Sequence, residues 1–155
     1  DRNRNERGIM TELSHARSFR DLVVYQKARK VSREIFEISK GFPKEETYSL
    51  TDQVRRASRS IGAQIAEAWA KRRYERHFVA KLTDADAEQM ETQHWIDEAC
   101  DCQYLDSKKR EELTEDLMQV GQMLNSMTGE ARLFCGQSNH IVRDEAVEYL
   151  ANPDD

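Results

Sequence analysis

The clearest pattern in the chain lies between Ser49 and Ala70. There Leu50, Val54, Ala57, Ile61, Ile65 and Ala68 recur at steps of four, three, four, four and three. That spacing puts them on one stripe of an α-helix. The stripe is narrow and rich in small residues, so a second helix can approach it closely. Upstream, Val24, Ala28, Val31, Ile35 and Ile38 form a similar stripe, widened by Leu22 and Phe36. Ser18 followed by Asp21 predicts a capping box at the start of this first helix. Gly41 with Pro43 just beyond predicts its end near Lys40. The link from Phe42 to Tyr48 is short, and both aromatics are expected to pack beneath the helices. Ser49 and Asp52 suit the start of the second helix.

Residues 49–104 contain no Pro and only Gly62. Taken as one helix this stretch spans roughly 84 Å at about 1.5 Å per residue, too long for so small a chain to cover. A break is therefore expected near Arg72 to Glu75, within the run KRRYERH. A third helix then carries Phe78, Leu82, Ala85, Gln89, Thr92, Ile96 and Ala99, with Met90 and Trp95 beside them. Gln89 and Thr92 are expected to bond across to a neighbour. Asp106 or Ser107 caps a fourth helix. In it Leu113, Leu117, Val120, Leu124, Met127, Ala131 and Phe134 make a heptad seam, weakened by Gly121 and Gly129 and ended by Gly136. The methionines of this helix read as core.

Four helices of about 20 residues with short links predict an all-α antiparallel, up-down-up-down four-helix bundle, here over residues 18–136. Residues 1–17, polar and aperiodic, read as a flexible N-terminal arm. Residues 137–155 read as a C-terminal tail in which Ile141 to Leu150 suit one short helix.

Composition agrees with a single helical domain. Of 155 residues 34% are charged, and only six Gly and two Pro are present. Residues 1–18 hold no apolar signal-peptide core, and no run approaches the roughly 18 apolar residues of a membrane span. Cys100, Cys102 and Cys135 are an odd, sparse set that suggests reduced thiols and a cytoplasmic location. The net charge of −5 hides a split: residues 1–81 carry 19 Lys and Arg against 11 Asp and Glu, whereas residues 82–155 carry 5 against 18. One half is cationic and the other strongly anionic.

The densest basic set is Arg55, Arg56, Arg59, Lys71, Arg72, Arg73 and Arg76. Positions 55, 59 and 73 share one helical line if the helix persists. Two readings stand side by side. Such clusters neutralise phosphates by long-range attraction and forked guanidinium contacts. They equally make ion pairs with the acidic third and fourth helices, within one subunit or between subunits. The set has no interleaved aromatic platform of its own beyond Trp69 and Tyr74. Glu67 reads either as a buried polar anchor paired with an arginine at a subunit contact or as surface charge; Gln53 and Gln64 join it as subunit-interface or buried polar positions. Glu91-Thr92-Gln93-His94 has the ligand spacing of di-iron bundles, but those need two such pairs and only one is present. No nucleophile elbow, phosphate-binding glycine loop or paired catalytic carboxylates can be picked out, so no metal, cofactor or enzymatic activity is expected.

Phe19-Arg20-Asp21-Leu22, Tyr25-Gln26-Lys27-Ala28, Phe42-Pro43, Tyr48, Gln53, Arg55-Arg56-Ala57, Ser60-Ile61 and Ile65-Ala66-Glu67 together resemble the small bacterial four-helix bundle family. It is also called the 23S ribosomal RNA intervening-sequence protein family, and accessory proteins of diversity-generating retroelements are similar. Ala85, Glu91-Thr92-Gln93 and Tyr104-Leu105 fit as well. The chain departs from the pattern at Gln64, Ala68, Trp69 and Ala70, where Asn, Gly and a small Gly-containing turn are usual. The resemblance implies a bundle that assembles into a homopentamer. It also implies association with RNA or DNA through a basic surface, and a reverse transcriptase or other protein as a further partner. The alternative is a protein–protein assembly module that binds no nucleic acid.

Overall fold

The computed structural model describes residues 16–135. Most of the expected arm, the Gly136 stop and the short helix expected at Ile141 to Leu150 lie outside the described residues. The elements are α1 (Val23–Ser39), α2 (Asp52–Ala70), α3 (Glu75–Asp101), α4 (Ser107–Gly129) and a short α5 (Ala131–Cys135). The chain is an all-α four-helix bundle. Among the described residues α1 packs on α2 and α4, α2 on α3, and α3 on α4, which closes the ring.

The stripes predicted from periodicity face this interior. The six α2-stripe positions from Leu50 to Ala68 are buried, as are the seven of α3 and the seam from Leu113 to Phe134. In α1, Val24, Ala28, Val31 and Ile35 are buried while Ile38 is half-buried. Phe78 and Phe134 stack with ring centroids 5.5 Å apart, which ties α5 to the first turn of α3.

The ends differ from expectation in instructive ways. The Ser18 box is present: Ser18 Oγ accepts from the Arg20 N–H at 3.1 Å, and Asp21 Oδ2 accepts from the Ser18 N–H at 3.0 Å. It caps a 3₁₀ turn, Phe19–Asp21, and Leu22 is extended before α1 begins. Hydrogen bonds from the Arg17 and Ser18 N–H groups hold the Asp21 carboxyl below its ordinary pKa. At the other end of α1, Gly41 keeps a negative φ, and the helix winds down through i to i+3 bonds from Gly41 to Ile38 and from Phe42 to Ser39. Pro43 then opens a 3₁₀ turn, Lys44–Glu46, and a π-helical turn, Thr47–Thr51, runs straight into α2. Ser49 therefore does not cap; its hydroxyl donates to Glu46 Oε2 at 3.2 Å. The π turn buries Leu50 and Thr51 and leaves Tyr48 80% exposed, contrary to the packing expected of it. Phe42 alone turns inward, its ring 5.7 Å from that of Tyr104.

The α2–α3 break falls at residues 71–74, within one residue of the expected site. The α3–α4 link closes α3 by a Schellman pattern: the Tyr104 N–H bonds to the Ala99 carbonyl and the Gln103 N–H to that of Cys100, both at 2.9 Å. Gln103 takes the left-handed position with φ 62°. Asp106, not Ser107, caps α4, accepting from the Lys109 N–H at 2.7 Å.

Among the described residues Gln89 and Thr92 make no bond across to a neighbouring helix. Thr92 Oγ1 donates to the Glu88 carbonyl and Gln89 Nε2 to Asp86 Oδ1, so both are satisfied within α3. Met90 and Met118 are more than half exposed, because each falls on the outer face of its helix; the core reading of the α4 methionines holds for Met127 and in part for Met123, which is half-buried against the core. The three cysteines are unpaired. Among the described residues, no helix is long and apolar enough to cross a membrane.

Candidate nucleic-acid interface

Lys71 leaves the helical region, with φ −97° and ψ 13°, so α2 does not continue through the basic run. The line drawn through positions 55, 59 and 73 is therefore broken, and the seven cations divide into two groups. Arg55, Arg56 and Arg59 lie in the first half of α2. Lys71, Arg72, Arg73 and Arg76 lie in the turn to α3 and its first residues. Arg55 and Lys71 are sixteen positions apart, roughly 24 Å at about 1.5 Å per residue.

Within the first group, among the described residues, only Arg56 forms an ion pair. It meets Glu91 Oε1 at 2.8 Å, and the same oxygen accepts from Trp95 Nε1 at 3.2 Å. Arg55 instead donates from Nε to Ser39 Oγ at 2.7 Å. The guanidinium carbons of Arg55 and Arg59 lie 4.9 and 5.3 Å from the Phe36 ring centroid. A groove of about 400 Å³ between α1 and α2 adds Arg29 and Arg33 to this face. Its floor includes Ser58 and Gly62, and Tyr25 lies across it, 3.5 Å from where a Gly62 Cβ would stand. Among the described residues no carboxylate forms an ion pair with Arg29, Arg33, Arg55 or Arg59.

Sequence reasoning expects Lys and Arg of the first two helices to meet phosphate, but it does not single out Arg29 and Arg33 or place Tyr25 and Phe36 beside them. The signal was there: Tyr25, Arg29, Arg33 and Phe36 recur at steps of four, four and three, a second stripe on α1 next to the apolar one. The aromatic platform absent from α2 is supplied by α1.

In the second group Arg72 lies 3.5 Å over the Trp69 ring and donates from Nε to the Trp69 carbonyl at 2.8 Å. Burial pushes its pKa down from the ordinary value, although a guanidinium stays charged. Arg73 lies 5.6 Å from the Tyr74 ring, and Lys71 and Arg76 are exposed.

The interface candidates on α2 are engaged locally. Glu67 is exposed rather than buried, and its partner is Lys81 of the same chain at 2.8 Å, not an arginine. That bond lowers the Glu67 pKa and raises that of Lys81. Lys81 Nζ also reaches Gln64 Oε1 at 3.3 Å, and Gln53 Nε2 donates to the Tyr48 carbonyl at 3.4 Å. Nearby, Glu88 Oε2 is enclosed without a hydrogen-bond partner. Desolvation, then the Glu91 charge, pushes the Glu88 pKa up against a smaller pull from Arg56. His94 lies tilted against Trp95, ring centroids 4.7 Å apart, while Glu91 is held by Arg56, so the Glu-x-x-His pair is not assembled as a ligand set. Among the described residues no three His, Cys, Asp or Glu gather as a metal would require.

No curated protein matches the chain. It is similar to a solved structure from Bacteroides thetaiotaomicron, a protein of unknown function from the S23 ribosomal protein family. The two are 26% identical with a TM-score of 0.63, over 69% of this chain and 96% of that one. Residues 20–126, more than half of the sequence, match the family described as 23S rRNA-intervening sequence protein, and the chain belongs to that family.

Proposed function

We propose that this chain is a non-enzymatic protein that associates with RNA or DNA through the cationic face of α1 and α2, assembling as a homo-oligomer. The observation that carries the reading is the cluster of Arg29, Arg33, Arg55 and Arg59. It stands on one face with no carboxylate partner among the described residues, although the second half of the chain is rich in acid. Ion pairing among the described residues accounts for Arg56 and Lys81 but not for these four. Arginines left over in this way favour phosphate, which binds guanidinium in a forked geometry and releases condensed counterions as it does so. The contacts are to backbone phosphate and require no base-specific reading. A fivefold assembly follows the family resemblance.

The test is fluorescence anisotropy of a labelled RNA at low salt. Wild-type protein binds. Arg55→Glu/Arg59→Glu abolishes binding, whereas Arg56→Ala, already committed to Glu91, changes it little. Absence of binding by the wild-type protein at low salt rejects the reading and leaves the assembly module in its place.

A further inference from the structure

We infer that the α1–α2 groove takes unpaired nucleotides: separate bases enter against Tyr25 and Phe36, about 16 Å apart along α1, while Arg29, Arg33 and Arg59 hold the intervening and flanking phosphates. The inference rests on the nucleic-acid reading and adds the class of strand.

Neutralising a duplex needs only cations on a surface, because its phosphates lie outside and its bases are stacked within. This face offers more. Its floor is closed, with Ser58 at 1% exposure and Gly62 buried beneath the Tyr25 ring, so a planar group meets the ring and not the helix backbone. Its walls carry two half-buried rings, Tyr25 from the start of α1 and Phe36 near its end. Guanidinium groups already lie against both: Arg29 is 6.0 Å from the Tyr25 centroid, and Arg55 and Arg59 lie over Phe36. Unpaired bases stack on such rings and on guanidinium planes alike. A base in the groove lies beside the guanidinium groups of Arg55 and Arg59, 4.9 and 5.3 Å from the Phe36 centroid. The volume, about 400 Å³, falls within the range of roughly 300–1,000 Å³ found for ligand clefts. An acidic peptide would use the cations but would leave the rings without a role.

The test compares four probes on the full chain by anisotropy: a labelled uridine strand of about 20 nucleotides, a duplex of equal length, an abasic strand with the same phosphates, and a poly-glutamate peptide. The uridine strand is expected to bind about fivefold or more tightly than the duplex or the abasic strand. Phe36→Leu is expected to erase that preference by weakening binding of the uridine strand severalfold more than binding of the duplex. If Phe36→Leu fails to fold, the abasic arm decides alone. Equal affinity for all three nucleic acids overturns the groove inference and leaves the phosphate reading standing. Poly-glutamate binding as tight as that of the uridine strand overturns it in favour of a peptide. No binding to any nucleic acid overturns both.

Discussion

Arg55 donates from Nε to Ser39 Oγ at 2.7 Å, and this bond fastens the start of α2 to the last residue of α1. Ser39 is 3% exposed and its own hydroxyl donates to the Phe36 carbonyl at 3.0 Å, so its oxygen is oriented to accept. The bond lays the Arg55 guanidinium over Phe36 instead of toward a carboxylate, and its positive charge stays available. Ser39→Ala is expected to destabilise the fold by about 1 kcal/mol, measured by urea unfolding. Because no charge is removed, the salt dependence of RNA binding should be unchanged.

The two glycines at helix contacts should respond oppositely to alanine. A Cβ at Gly62 would rest 3.5 Å from the Tyr25 ring, an ordinary contact. Gly62→Ala is therefore expected to raise stability by up to about 1 kcal/mol through helix propensity. A Cβ at Gly121 would fall 2.9 Å from Gln89 Nε2 and 3.2 Å from Asp86 Oδ1. Gln89 is buried and bonded to both Asp86 and Gln93, so it has little room to yield. Gly121→Ala is expected to lose about 1 kcal/mol net, overpacking outweighing propensity. Parallel denaturant melts check the contrast.

Gln103 holds the left-handed position of the α3 cap, where glycine is usual. Gln103→Gly removes the Cβ strain at some cost in unfolded-state entropy. The expected gain is about 0.5–1 kcal/mol. A thermal midpoint below that of the wild type would contradict the cap geometry.

Glu88 sets a pH dependence of definite sign. Its carboxyl is raised in the fold, so its ionised form opposes folding, fully so above the raised pKa. As pH falls through that value the group protonates, gains a proton to share with Glu91, and the opposition fades. Glu88→Gln is therefore expected to stabilise the protein at about pH 7, by less than about 1 kcal/mol for a partly solvated group, and to lose the advantage by about pH 4. Acid weakening of the Lys81–Glu67 pair runs the other way, with Glu67 losing its contribution as pH falls, but it affects both proteins alike. Unfolding free energies of the two proteins at both pH values check the difference.

Helical phase decides burial in a bundle, which is why the stripes from Leu50 to Ala68 and from Leu113 to Phe134 are readable directly from spacing. The polar run KRRYERH likewise marks the α2–α3 turn, because nothing in it can face a core. Hydrophobicity without phase misleads at Met90, Met118 and Tyr48, which lie on outer faces. The candidate site is less legible. Arg55 and Arg59 meet Phe36 and Ser39 only after α1 and α2 pair, so no local pattern joins them. A continuous α2 would align Arg73 with Arg59, and only the backbone turn at Lys71 separates them. Gln103 carries no glycine signal for its left-handed φ.

The central claim is that Arg55 and Arg59 meet phosphate. The measurement that tests it most directly is the salt dependence of binding to a single-stranded RNA, comparing wild type with Arg55→Ala/Arg59→Ala. A plot of log affinity against log salt should be steep for the wild type and shallower in the variant by roughly 1.4, about 0.7 for each phosphate that the variant no longer neutralises. A slope that is the same in both proteins, or a wild-type affinity that salt does not change, would contradict the account.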